Sequence, residues 1–171
     1  MITLIYGGSG SGKSAFAEDI VTASKCKNKY YLATMKSRDS ESKSRIKRHK
    51  QLREGKNFVT VEQPVDIANA VTDAKGIVLL ECMSNLVANE MFRKKWPLSS
   101  KECIHKVLMD TIKLSDKVEH LVIVTNNVFE DGLGYDETTK EYLRALGIIN
   151  ERLAEISDEV YEVVVGIGVK I

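Results

Sequence analysis

Residues 7–14 constrain the fold of this chain more than any other segment, because they match the phosphate-binding pattern G-x-x-x-x-G-K-S/T in full. These residues are Gly7, Gly8, Ser9, Gly10, Ser11, Gly12, Lys13 and Ser14. Glycines let consecutive N–H groups face an anion, the lysine reaches the β- and γ-phosphates, and the hydroxyl completes Mg²⁺ coordination. An apolar run at 2–6 predicts a strand before the loop, and helical spacing in 14–23 predicts a helix after it. Together they predict a nucleoside triphosphate site rather than a glycine-rich turn that contains Lys-Ser by chance.

Composition limits the class of protein further. The chain has 171 residues, 43% of them hydrophobic and 29% charged, which suits a soluble globular protein with one domain, residues 1–171. A net charge of +1 argues against binding to nucleic acid or to a membrane surface. The longest apolar runs are of strand length, and no leader-like segment opens the chain. The three cysteines are widely spaced, so we expect a cytoplasmic protein without disulfides.

Apolar runs of strand length alternate with helical patterns along the chain. Strands are predicted at 2–6, 29–33, 58–61, 77–80, 121–124 and 160–165. Helices are predicted at 14–23, 42–53, 65–72, 83–95, 99–114 and 137–156. This alternation predicts an α/β protein with the three-layer P-loop NTPase fold, in which a mostly parallel sheet carries helices on both faces. Two glycines in the tail, residues 163–171, predict an antiparallel hairpin at one edge of the sheet.

The carboxyl ends of parallel strands are where ligands bind in such sheets. Gly7, Thr34 and Glu81 follow three of the predicted strands, and Thr125-Asn126-Asn127 follows another. Glu81 ends an apolar run, and P-loop proteins place a carboxylate there to hold Mg²⁺ opposite the loop hydroxyl, here Ser14. The alternative is an acidic residue that ends a strand at the surface.

A basic segment, residues 43–53, carries the second candidate chemistry. On a helix, Arg45, His49 and Arg53 fall on one face at successive i+4 positions. Flanking cations depress the pKa of a histidine and keep the imidazole neutral and nucleophilic near pH 7. They also neutralise phosphates, so the segment suits a histidine that attacks an α-phosphate and takes up a nucleotide. A solvated basic face with an incidental histidine, or a face that touches nucleic acid, remains open.

Further segments extend the pattern over the whole chain. They are Gly7-Gly8 with Ser11-Gly12-Lys13-Ser14; Tyr31-Leu32-Ala33-Thr34; Arg45-Ile46 followed by His49-Lys50; Leu79-Leu80-Glu81-Cys82 with Asn85 and Asn89; Val124-Thr125-Asn126; Gly147, Asn150 and Arg152-Leu153-Ala154; Asp158-Glu159-Val160; and Gly166-Ile167-Gly168-Val169-Lys170. In these segments the chain resembles the bifunctional adenosylcobinamide kinase / adenosylcobinamide-phosphate guanylyltransferase family of cobalamin biosynthesis. Gly10 and Asn127 stand where that family usually has arginine and glutamate.

The resemblance implies two reactions in one site. ATP or GTP phosphorylates the aminopropanol hydroxyl of adenosylcobinamide, and GMP then passes from GTP to a histidine and on to the new phosphate, which gives adenosylcobinamide-GDP. It implies that His49 is the nucleophile, while the loop motif and the strand-end carboxylate already predict Mg²⁺ at Ser14 and Glu81. Nucleotide contacts are implied for Gly7 to Ser14, Ala33, Thr34, Met35, Lys50, Gln51, Leu52, Arg53, Glu62 and Glu81. It also implies a homotrimer with active sites between subunits.

Two other functions remain open. One is a P-loop kinase for another small molecule, in which His49 is incidental and no nucleotide is retained covalently. The other is a nucleotide-binding regulatory or scaffold module without catalysis, which Gly10 and Asn127 suggest.

Overall fold

The computed structural model describes residues 1–36, 44, 47, 51, 53–70, 76–128 and 134–171. Seven strands form one sheet: β1 (Ile2–Tyr6), β2 (Lys29–Ala33), β3 (Val59–Glu62), β4 (Ile77–Glu81), β5 (His120–Val124), β6 (Glu159–Val164) and β7 (Ile167–Lys170). Their order across the sheet is β3-β2-β4-β5-β1-β6-β7. Every pair is parallel except β6 and β7, which form the antiparallel hairpin predicted at the edge. The mostly parallel α/β architecture is therefore confirmed.

Helices cover both faces of this sheet. The described helices are α1 (Lys13–Ala23), α2 (Met83–Met91), α3 (Ser100–Ser115) and α4 (Glu137–Ile156). On one face, apolar side chains of α1 pack against alternate residues of the central strands, Val122 and Val124 among them. On the other face, α2, α3 and α4 pack against the residues between, such as Leu121 and Ile123. Because both faces are buried, the central strands read as continuous apolar runs.

Two predicted helices end earlier or are tighter than their patterns indicated. The segment predicted as a helix at 65–72 contains, within its described part, only a 3₁₀ turn, Ile67–Asn69. Asp66 has a left-handed backbone with φ of 54°, which interrupts any helix that starts before it. Helix α2 ends at Met91 rather than at residue 95, because Phe92 leaves helical geometry. The predicted helix at 42–53 lies mostly outside the described residues.

The β6–β7 hairpin turns directly beside the phosphate-binding loop. The backbone N–H of Gly166 donates to the carbonyl of Ser11 at 2.7 Å. A Cβ built on Gly12 would lie 2.9 Å from the Cα of Gly166, so the two backbones touch. The aromatic ring of Phe16 on α1 lies over Gly168, where a Cβ would come within 2.2 Å of it. The hairpin at the edge of the sheet therefore contacts both the loop and the start of α1.

Candidate nucleotide and phosphoryl-transfer site

The phosphate-binding loop spans the gap between β1 and α1. Gly10 and Gly12 have φ of 73° and 89°, a left-handed conformation that favours glycine at both positions. Lys13 begins α1, is buried, and folds back so that Nζ donates to the carbonyl of Gly8 at 2.8 Å. Burial lowers the pKa of Lys13, and the nearby Glu81 carboxylate opposes that shift. The Lys13 side chain thus lies across the phosphate-binding loop.

Ser14 and Glu81 meet across the mouth of this loop. The Ser14 hydroxyl donates to Oε1 of Glu81 at 2.7 Å, although the two residues lie far apart in sequence. The second carboxylate oxygen, Oε2, is buried and has no hydrogen-bond partner in the described part of the chain. Burial raises the pKa of Glu81 to about 7, while the Ser14 hydroxyl and the Lys13 ammonium act in the opposite direction. A buried carboxylate with an unpaired oxygen beside a hydroxyl suits a hard divalent cation.

Thr34 ties the end of β2 to the end of β4. Its Oγ1 accepts from the N–H of Cys82 at 2.8 Å and lies 2.9 Å from the carbonyl oxygens of Glu81 and Cys82. The Glu81–Cys82 peptide bond is cis. Asn89 donates from Nδ2 to the carbonyl of Thr34 at 2.7 Å. The Thr34 hydroxyl therefore bonds to the backbone that carries Glu81, and its half-buried neighbours Ala33 and Met35 flank it.

Arg53 lies inside the protein, although it belongs to a strongly basic segment. Its guanidinium carbon sits 3.3 Å from the ring centroid of Tyr31, and only 7% of the residue is exposed. Nη1 is buried and has no hydrogen-bond partner among the described residues. The guanidinium is close enough to Glu81 to oppose the rise that burial causes in the pKa of that carboxyl. One end of the basic segment thus reaches the vicinity of the phosphate-binding loop.

The other predicted site residues are distributed more widely. Glu62 ends β3 and is exposed; β2 separates it from Glu81, because Ala33 is the register partner of both. Gln51 is exposed. Arg45, His49, Lys50 and Leu52 lie outside the described residues. The described structure brings together the loop, Ser14, Glu81, Thr34 and Arg53.

The end of β5, which the sequence placed at the ligand-binding edge of the sheet without naming individual roles, contributes several polar groups. Thr125 donates to Oδ1 of Asn150 on α4 at 2.7 Å, and the N–H of Asn127 donates to the carbonyl of Gly7 at 3.0 Å. Between them, Asn126 donates from Nδ2 to the Ser84 hydroxyl at 2.7 Å. Strand alternation in 121–126 was the available signal, but it becomes informative only once the strand order is known.

A separate acidic cluster lies on the α2–α3 side of the sheet. One carboxylate oxygen from each of Asp66, Glu90 and Asp110 lies within 4.8 Å of the others. Arg93 pairs with Asp66 and Glu90, and Lys106 pairs with Asp66 at 2.8 Å and with Asp110 at 2.5 Å. These two cations offset two of the three negative charges of the cluster, which joins the turn after β3 to α2 and α3.

A family model described as cobinamide kinase / cobinamide phosphate guanyltransferase matches residues 3–171. The chain belongs to this family. The bifunctional adenosylcobalamin biosynthesis protein CobU of Escherichia coli is 31% identical over 183 residues, which cover 100% of this chain and 99% of the relative. The protein of the same name from Salmonella typhimurium is 30% identical over 186 residues, with the same two coverages.

Membership in the cobinamide kinase / cobinamide phosphate guanyltransferase family makes the chain an enzyme of cobalamin biosynthesis, a kinase and a nucleotidyltransferase. A solved ATPase domain shares the fold, with 12% identity, a TM-score of 0.50, and coverage of 94% of this chain and 68% of that one. A solved protein from Pyrococcus horikoshii has 10% identity and a TM-score of 0.51, with coverage of 99% of this chain and 84% of that one. The predicted P-loop NTPase fold is thereby confirmed. None of the helices in the described ranges has the length and apolarity needed to cross a bilayer.

Proposed function

We propose that this chain phosphorylates the hydroxyl of adenosylcobinamide with ATP or GTP, and then transfers GMP from GTP to the phosphate it has made. The observation that carries this proposal is the contact between Ser14 and Glu81 at the mouth of the phosphate-binding loop. A loop hydroxyl opposite a strand-end carboxylate is the arrangement that phosphoryl-transfer sites use to hold a metal-bound triphosphate. Both reactions need the triphosphate held there, so one loop serves both.

Ser14 and Glu81 are the residues that would hold Mg²⁺. Oxygen donors suit this cation, and the buried Oε2 of Glu81 lacks a hydrogen-bond partner in the described ranges, so the fit is good. Bound Mg²⁺ would neutralise phosphate charge during transfer. Lys13 would leave the Gly8 carbonyl to bind phosphate oxygens, and the backbone N–H groups of the loop would orient the chain of phosphates.

His49 is the proposed nucleophile for guanylyl transfer. An imidazole nitrogen attacks the α-phosphorus of GTP, and the bond to the bridging oxygen breaks so that pyrophosphate leaves with the electron pair. A phosphate oxygen of adenosylcobinamide phosphate then attacks the same phosphorus, and the histidine leaves. The support is the sequence spacing of Arg45, His49 and Arg53, together with the position of Arg53 near Glu81. Cations beside the histidine would stabilise the leaving pyrophosphate.

The proposed assembly is a cytoplasmic homotrimer, on the basis of the family resemblance. The exposed apolar side chains of the β6–β7 hairpin, Ile167 and Val169 among them, offer a surface for contact between copies. Sedimentation equilibrium checks this, since a trimer has three times the mass of the 19.1 kDa chain.

The decisive test is incubation with α-labelled GTP followed by denaturation. The wild-type protein should retain a label that is labile in acid and stable in alkali, as a phosphoramidate is. His49→Asn should lose this label. Its barrier to guanylyl transfer should rise by roughly 4 kcal/mol or more, while it keeps transfer from γ-labelled nucleotide. His105→Asn, which changes an exposed histidine on α3, is the matched control and should keep both.

Three results would contradict the proposal. A label that survives acid would indicate a serine or threonine ester. A γ-transfer activity without any covalent nucleotide would indicate a kinase alone, in which His49 is incidental. Tight GTP binding without turnover of cobinamide would indicate a binding module.

A further inference from the structure

The end of β5 lies between the phosphate-binding loop and Glu81, the two parts of the phosphate site. In the sheet, β5 lies between β1, which leads into the phosphate-binding loop, and β4, which ends in Glu81. Val124 is the register partner of both Ile5 and Glu81. Neighbouring strands lie about 4.8 Å apart, so whatever β5 presents beyond Val124 lies between the loop and the carboxylate.

Strand alternation and one contact with Cys82 decide which side chain of this segment lies beside Glu81. Val122 and Val124 pack on the α1 face, whereas Ile123 and Thr125 face α4, where Thr125 bonds to Asn150. The ladder to β1 continues past the strand, since Thr125 and Asn127 donate to the carbonyls of Ile5 and Gly7. Asn126 follows at the carboxyl edge of the sheet, where its Nδ2 lies 3.9 Å from Sγ of Cys82, the residue directly after Glu81.

The hydrogen bond of Asn126 determines what it can bind. Nδ2 donates to the hydroxyl of the buried Ser84 at 2.7 Å, so the donor end of the amide is engaged. The side chain is half-buried, and its acceptor end, Oδ1, is the part left for a ligand. An acceptor oxygen suits a group that carries a hydrogen, such as an alcohol. It does not suit a phosphate oxygen without a proton, because two acceptors repel each other.

We propose that Asn126 positions the hydroxyl of the alcohol substrate for phosphoryl transfer, by accepting its hydrogen bond at Oδ1. The inference rests on the proposed kinase function. The hydroxyl oxygen forms the new bond to the γ-phosphorus, and the bond to the β,γ-bridging oxygen breaks with its electrons going to the nucleoside diphosphate. The hydroxyl proton passes to the transferred phosphate or to solvent, because an amide oxygen does not hold it. Asn126 orients the attacking group and is not a base.

This role separates the two reactions of the enzyme. In the kinase step the acceptor is a hydroxyl, which can donate to Oδ1. In guanylyl transfer the acceptor is a phosphate, which has no hydrogen to donate when fully ionised. Loss of the amide should therefore affect the first reaction and spare the second, a split that general damage to the fold or to the phosphate-binding loop would not produce.

The test compares Asn126→Ala with wild type in both reactions. The measurements are transfer from γ-labelled nucleotide over a range of adenosylcobinamide concentrations, guanylyl transfer to ready-made adenosylcobinamide phosphate, and the Kd for GTP. We expect kcat/KM for the alcohol to fall about tenfold or more, with guanylyl transfer and Kd within about twofold of wild type. Asn69→Ala, at an exposed asparagine after β3, is the matched control and should leave all three unchanged.

Ser84→Ala provides a second variant, which retains the Asn126 side chain. It removes the hydroxyl that fixes the amide, so it should show the same selectivity with a smaller loss. Equal losses in both reactions, or no loss in the kinase reaction of either variant, would overturn the inference. A wild-type protein that phosphorylates no alcohol but retains GMP would overturn the kinase half of the proposed function, and this inference with it.

Discussion

At the scale of single residues, the site depends on a carboxylate that the fold buries before any ligand arrives. Glu81 ends β4 under the phosphate-binding loop, with one oxygen bonded to Ser14 and the other unpaired within the described structure. Such a group is costly in the free protein and favourable once a cation or a proton reaches it. Its ionisation should therefore leave a signature in stability.

Glu81→Gln should stabilise the metal-free protein in a pH-dependent way. Burial raises the pKa of Glu81 from 4.5 to about 7, so the folded state binds the proton more tightly than the unfolded state does. The resulting contribution to stability is fully present below pH 4.5 and is lost as pH rises through 7. The glutamine variant lacks this loss, so its stability relative to wild type should rise between pH 5 and 8, by roughly 3 kcal/mol at most. Urea unfolding with EDTA measures the difference, and a difference independent of pH would contradict this account.

Lys13→Ala should weaken nucleotide binding and suppress both reactions. The buried ammonium donates to the Gly8 carbonyl within the loop, and it would exchange that bond for charged phosphate oxygens. Loss of such charge-assisted bonds should raise the Kd for GTP about tenfold to a hundredfold, which calorimetry measures. Lys29→Ala, at the opposite end of the sheet, removes a lysine of the same type and should leave the Kd unchanged. Equal affinities for wild type and Lys13→Ala would place the triphosphate elsewhere.

At the scale of elements, the β6–β7 hairpin fixes α1 through a close contact with no room for a side chain. Gly168→Ala should destabilise the protein by about 1–3 kcal/mol, because its Cβ would meet the ring of Phe16. Phe16→Leu should recover part of that loss in the double variant, although alone it weakens packing. Gly134→Ala, where a Cβ has open space, is the matched control. Denaturant midpoints for wild type, the two single variants and the double variant complete a double-mutant cycle, and additive effects would contradict a direct contact.

The elements themselves were largely predictable, whereas the contacts between them were not. Apolar periodicity and the glycine loop indicated β1, α1 and β4. The rule that ligands bind at the carboxyl ends of parallel strands placed Ser14 opposite Glu81. The turn at Ile67–Asn69 was predicted as a longer helix, because a left-handed Asp66 leaves no mark on apolar spacing. Arg53 was predicted near the nucleotide, but its burial against Tyr31 depends on tertiary packing that no local pattern encodes.

At the scale of the whole molecule, nucleotide binding should stabilise the fold globally. The proposed ligand contacts come from the ends of β1, β2 and β4, so a bound triphosphate joins segments that are distant in the chain. At a concentration one hundred times the Kd, Mg²⁺ with GTP should add about 2.7 kcal/mol and raise Tm by about 5–10 °C. Thermal unfolding of wild type and Lys13→Ala checks this. An equal rise in both proteins would show that the stabilisation does not come through the loop.

The contact between Gly166 and the phosphate-binding loop can form only late during synthesis of the chain. The ribosome makes the turn that bonds to Ser11 about 150 residues after it has made the loop. At ordinary rates of translation this interval lasts on the order of ten seconds. For most of it, β1 also lacks its neighbours β5 and β6. A nascent chain therefore carries the complete glycine motif long before the loop is folded into a phosphate-binding site. Bound nucleotide cannot guide the early stages of its folding.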